Sequence, residues 1–79
     1  MAKGSNIVHQ YFKKEFEGVK ILVKLNPLNF QGSEITVGPD GEPELRDLEF
    51  DAGIFDDLKV DGFEAASPIE FNLYLAGLL

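Results

Sequence analysis

Five carboxylates fall close together in the second half of the chain: Asp51, Asp56, Asp57, Asp61 and Glu64. Acidic oxygens at short spacing are what a hard cation such as calcium takes as ligands. An EF-hand loop needs them at its first, third, fifth and twelfth positions, around a glycine at the sixth. Taking Gly62 as that glycine puts Asp57 first, Lys59 third, Asp61 fifth and Pro68 twelfth. A lysine and a proline at ligand positions exclude the motif. A non-standard divalent-cation site stays open as an alternative to the plainer reading, a solvated acidic face.

Other chemistry is thinner still. The hydroxyl nucleophiles are Ser5, Ser33, Ser67 and Thr36, and none stands in a GxSxG context. His9 is the single histidine, and its nearest acids in sequence are Glu15 and Glu17, so no conventional zinc site can be assembled from it. There is no cysteine, which removes thiolate ligands, disulfides and cysteine nucleophiles together. Neither of the phosphate-cradling glycine patterns, GxGxxG and GxxxxGK, occurs, and "GPDGEP" (residues 38–43) is turn chemistry of the wrong charge for phosphate. A chain of 79 residues seldom encloses the roughly 300 Å³ or more of a substrate pocket. The expectation is a protein that is not an enzyme, with no catalytic, cofactor or metal residues to assign.

The net charge of −7 is unevenly distributed. Residues 1–32 hold five lysines against Glu15 and Glu17, so 5 − 2 = +3, whereas residues 33–79 hold twelve acids against Arg46 and Lys59, so 2 − 12 = −10. That acidic half repels phosphate backbones and argues against nucleic acid as a partner. It would attract a basic protein. Lys13, Lys14, Lys20 and Lys24 are expected to pair with the chain's own acidic half, within the fold or across a subunit contact. No apolar run reaches the roughly 18 residues of a membrane span, and "MAKGSNIVHQYFKKEF" lacks the apolar centre and cleavage site of a secretory signal. A cytoplasmic protein without a membrane partner is expected.

These side chains need elements to hold them. With 44% apolar residues, including seven phenylalanines and two tyrosines, the chain has the material for a core. Residues 1–5 are expected to be disordered and residues 6–79 to form one domain. Ile7, Val8, Tyr11, Phe12 and Phe16 recur at helical spacing and predict a helix from Asn6 to Phe16, with a hairpin turning at Glu17-Gly18 as the competing reading. "VKILVKL" (19–25) is a strand, with Val19, Ile21, Val23 and Leu25 on one face and Lys20, Leu22 and Lys24 on the other. "SEITVGPDGEPELRDLEFD" (33–51) predicts a hairpin, with a bulge near Arg46-Asp47 because Leu45, Leu48 and Phe50 break the period of two. Ile54, Phe55 and Leu58 predict a short helix.

"SPIEFNLYLAGLL" (67–79) carries a serine cap, a proline at the first helical position and a glutamate three after the cap. Those signals outweigh the alternation of Ile69, Phe71, Leu73 and Leu75, and predict a helix that is apolar nearly all round. Such a helix wants cover on more than one side. The fold expected is α+β: an N-terminal helix, a three-stranded mainly antiparallel sheet, and two C-terminal helices closing its apolar face. The function expected is an acidic protein-interaction or assembly module that associates with itself through this segment, with Phe71, Tyr74, Leu75 and Leu78 at or near a two-fold contact. The alternatives are a monomeric adaptor for a basic protein and a carboxylate-based divalent-cation binder.

Overall fold

The computed structural model describes residues 8–77; the disorder expected over residues 1–5 and the candidate contact residue Leu78 lie outside them. The elements run β1 (Gln10–Phe16), β2 (Val19–Leu25), β3 (Gln31–Val37), β4 (Pro43–Glu49), α1 (Ile54–Val60), β5 (Glu64–Ala65) and α2 (Pro68–Gly77). The strands form one antiparallel sheet in the order β4-β3-β2-β1-β5.

This corrects the expected fold in three places. The predicted N-terminal helix is strand β1, paired with β2 from Gln10↔Leu25 to Phe16↔Val19. Glu17 and Gly18 both take positive φ, 51° and 81°, which makes the two-residue primed turn that matches the twist of flanking strands. The helical spacing misled because β1 is covered on both sides. Tyr11 packs with Leu22, Ile35 and Phe71 on one face, while its neighbour Phe12 packs with Val23, Leu25 and Leu58 on the other. Second, the sheet has five strands rather than three, β5 being a two-residue strand that leaves almost no trace in sequence. Third, the helices do not share a face: α2 covers the Leu22–Ile35 side and α1 the Val23–Leu25 side.

The expected bulge is also absent. β4 pairs with β3 without a break from Gln31↔Glu49 to Val37↔Pro43. Leu45 stands on the α2 side, opposite Ile35, and Leu48 on the α1 side, opposite Gly32. A strand that contributes to both faces needs no bulge to explain its uneven spacing.

The α1 side is aromatic. Phe55 meets Phe12 and Phe30 edge to face, with ring centroids 6.1 and 6.4 Å apart, and Phe50, Ile54 and Phe63 close the cluster. α1 ends in a Schellman cap: Gly62 N–H donates to Lys59 O at 3.1 Å and Phe63 N–H to Leu58 O at 2.9 Å. Gly62 has φ 87°, the left-handed conformation this cap requires. The glycine that the calcium reading would have placed inside a loop is a helix terminator.

Candidate functional site

α2 starts as its sequence dictates. Glu70 N–H donates to Ser67 Oγ at 3.2 Å, and Pro68 occupies the first helical position. The Glu70 side chain does not turn back on the cap. It crosses to the sheet, with Oε2 2.7 Å from Lys20 Nζ and Oε1 3.3 Å from Lys13 Nζ. Both lysines stand on the mixed face of the β1–β2 pair, so a carboxylate from the acidic half meets the basic half inside one fold. Accepting from Lys20 holds the Glu70 carboxyl below its ordinary pKa, against a smaller opposing effect of desolvation. The same bond holds the Lys20 ammonium above its own.

That ion pair and the burial of Phe71 agree on one rotation of the helix. Phe71, one residue on, is 1% exposed and meets Tyr11 edge to face at 5.7 Å between centroids. Tyr74 lies one turn after Glu70, and Lys20 Nζ stands 5.1 Å from its ring centroid. Leu75, one turn after Phe71, packs on the same cluster. With positions 70, 71, 74 and 75 facing inward, the outer stripe is Ile69, Asn72, Leu73 and Ala76. Ile69 is 72% exposed and Leu73 69%, and they are one turn apart on the same ridge. The stripe carries no charge, because Glu70 is the only charged residue of α2.

Of the expected contact residues, the structure therefore seats Phe71 in the chain's own core and leaves Tyr74 and Leu75 half-buried beside it. Ile69 and Leu73 take the outward positions. The signal that separates the two sets is Glu70, the one residue of the segment that must find a cation.

The remaining candidates do not converge. Among the described residues no three His, Asp or Glu side chains could together hold a metal ion. Asp51 accepts the Gly53 amide at 3.0 Å and Asp40 the Glu42 amide at 3.3 Å, which are turn roles. An open groove of about 670 Å³ is lined by Gln31, Gly32, Ser33, Asp47, Leu48 and Glu49. Its hydroxyl is already engaged, Ser33 Oγ donating to Asp47 Oδ1 at 2.8 Å, and no basic residue lines it to activate a nucleophile. Lys14 lies over the rings of Phe63 and Phe16, at 5.8 and 5.9 Å from their centroids. No helix among the described residues is long and apolar enough to cross a membrane.

Comparison of the chain with protein-family models, with curated proteins and with solved structures gives no match.

Proposed function

We propose that this chain is a non-enzymatic, cytoplasmic interaction module that associates with a second copy of itself through the outer stripe of α2. The observation that carries this reading is the exposed pair Ile69 and Leu73, set on a ridge without charge. Exposed apolar residues are ordinary when scattered singly; two stacked on one helix face, with neutral neighbours, are not scattered. α1 lies across the sheet and cannot cover them.

Charge favours a second copy over a basic partner at this place. Two chains of net charge −7 repel, and they can approach most closely where neither presents a charge. A basic protein would choose acidic surface instead. The stripe is also self-complementary: two antiparallel copies of α2 place each Leu73 against the Ile69 side of the other, as a two-fold contact requires.

Sedimentation from micromolar to millimolar concentration tests the reading. Added salt screens the repulsion between copies, so mass at a given concentration rises with ionic strength, whereas binding of a basic protein would weaken. Leu73→Glu leaves the fold intact and lowers the mass, because it sets a carboxylate against the apolar Ile69 side of the other copy. A wild-type chain that stays monomeric throughout, or a mass that Leu73→Glu does not change, ends the proposal.

A further inference from the structure

β4 is the outermost strand on one side of the sheet and, among the described residues, has no partner on its outer edge. One hydrogen bond fixes how that edge is built. The Phe50 amide donates to Phe30 O at 2.8 Å, and Phe30 and Phe50 continue the β3–β4 register by one step beyond Gln31↔Glu49. Even-numbered residues of β4 (Glu44, Arg46, Leu48) therefore direct their backbone groups toward β3. By alternation Leu45, Asp47 and Glu49 turn N–H and C=O outward, as Pro43 does its C=O. Pro43 gives up nothing to β3, since its missing N–H falls on the outer side. Leu45 stands on the α2 face and is 43% exposed. Arg46 stands on the other face, 2.6 Å from Glu34, with Glu44 beside it on the same side.

We propose that β4 pairs with β4 of a second copy, antiparallel and centred on Leu45 opposite Leu45. This contact is separate from the outer stripe of α2. A two-fold axis perpendicular to the sheet keeps each face on its own side, so a symmetric pairing must be centred on one residue of β4 facing itself. Side-chain charge then selects among the centres. Centring on Glu44, Arg46 or Asp47 sets that residue against its own like charge, and centring on Leu48 sets Asp47 against Glu49. Centring on Leu45 alone brings opposites together, with Glu44 of each copy facing Arg46 of the other, twice. The same register lets the Leu45 N–H and C=O groups bond reciprocally and the Asp47 amide reach Pro43 C=O. It also covers the half-exposed Leu45 side chains with each other.

Proline and charge on an edge strand normally prevent pairing. Here the charges of Glu44, Arg46, Asp47 and Glu49 disfavour every symmetric register but one. A basic strand fits the same edge less well, because Arg46 stands in the middle of it.

The experiment is done in the Leu73→Glu chain, which removes the helix contact and leaves the strand contact alone. That chain should form a dimer on concentration, with slowed exchange of the Leu45 and Asp47 amides. Adding either Glu44→Arg or Arg46→Glu sets like charges opposite in both copies and weakens the dimer roughly a hundredfold or more. An equimolar mixture of the two variants restores opposite charges at both pairs, and so restores the dimer and the protection. A Leu73→Glu chain that is monomeric at millimolar concentration overturns the proposal. So does a mixture that stays monomeric, or a dimer that forms without protection at Leu45 and Asp47. Protection of those amides by a lysine-rich peptide, in a chain that never pairs with itself, would assign the edge to a basic strand and overturn it equally. The amide measurement on the unsubstituted edge needs no charge variant to fold.

Discussion

The two helices solve opposite problems. α1 is seven residues long and buries Leu58, Phe55 and Ile54 against an aromatic cluster, with Asp56, Asp57 and Lys59 exposed. Its apolar content is matched to the one surface it covers, apart from an exposed Val60. α2 is ten residues long, buries one side on Leu22 and Ile35, and carries a second apolar side that nothing in the described chain covers. The difference separates what the fold needs from what it has in excess. α1 is spent on stability, and α2 alone of the two has more than one exposed apolar side chain on a single ridge.

Substitutions can break that comparison, and the strongest is Phe71→Ala. Phe71 joins α2 to the sheet and is almost wholly buried, so truncation should cost about 3–5 kcal/mol. A domain of this size holds only about 4–12 kcal/mol in total. Urea unfolding should show a protein near or past its limit, whereas Phe55→Ala, at a half-buried site under α1, should leave a folded chain with an earlier midpoint. Equal losses at the two sites would mean that the faces contribute alike.

A smaller effect separates the helices more sharply. Gly62→Ala strains the left-handed cap of α1 and should cost about 1 kcal/mol, visible as a lower melting temperature. Self-association should not change, because the cap is on the far side of the sheet. Leu73→Glu should do the reverse. If Gly62→Ala altered the mass in solution, the division between a stabilising helix and an associating one would not hold.

The least costly test concerns the clamp on α2 and is read through pH. Because the folded Glu70 carboxyl titrates below its unfolded value, its contribution is present above that unfolded value, about 4.3, and is lost as pH falls through the folded one. Lys20 titrates above its unfolded value of about 10.4, so its contribution holds below that and is lost as pH rises through the raised value. Glu70→Gln should therefore be less stable than wild type by up to about 1 kcal/mol at neutral pH, both side chains of the pair being 22% exposed. The difference should close at either extreme. A difference that persists at the acid extreme, once the carboxyl is protonated in both states, would assign the loss to packing rather than charge.

β2 was legible in the sequence and β1 was not, although both strands bury residues on both faces. β2 alternates cleanly because Lys20 and Lys24 mark its mixed face, the β3–β4 hairpin follows from its turn residues, α1 from the spacing of Ile54, Phe55 and Leu58, and α2 from its cap. The spacing in β1 predicts a helix because Tyr11 and Phe12, adjacent in sequence, are both half-buried on opposite faces. The competing hairpin at Glu17-Gly18 is the one that forms. The apolar ridge was legible as composition but not as orientation. Which side of α2 faces out depends on Phe71 reaching Tyr11 and Glu70 reaching Lys20, far earlier in the chain, and no local pattern encodes those contacts.

The strand order has a consequence for how the chain folds. Strands β1 to β4 are a meander, each pairing with its neighbour in sequence, so three short loop closures assemble most of the sheet at little entropic cost. β5 and α2 are different, since they must return to the first strand, Ala65 to Phe12 and Glu70 to Lys13. That closure spans most of the molecule and is rewarded only once the meander exists to receive it. The segment from Glu64 onward is then the last to arrive and the first to leave, held among the described residues by a two-residue pairing, the buried Phe71 and the contacts of Glu70 with Lys13 and Lys20. Its amide protons should exchange through partial opening well before those of β2, the central strand.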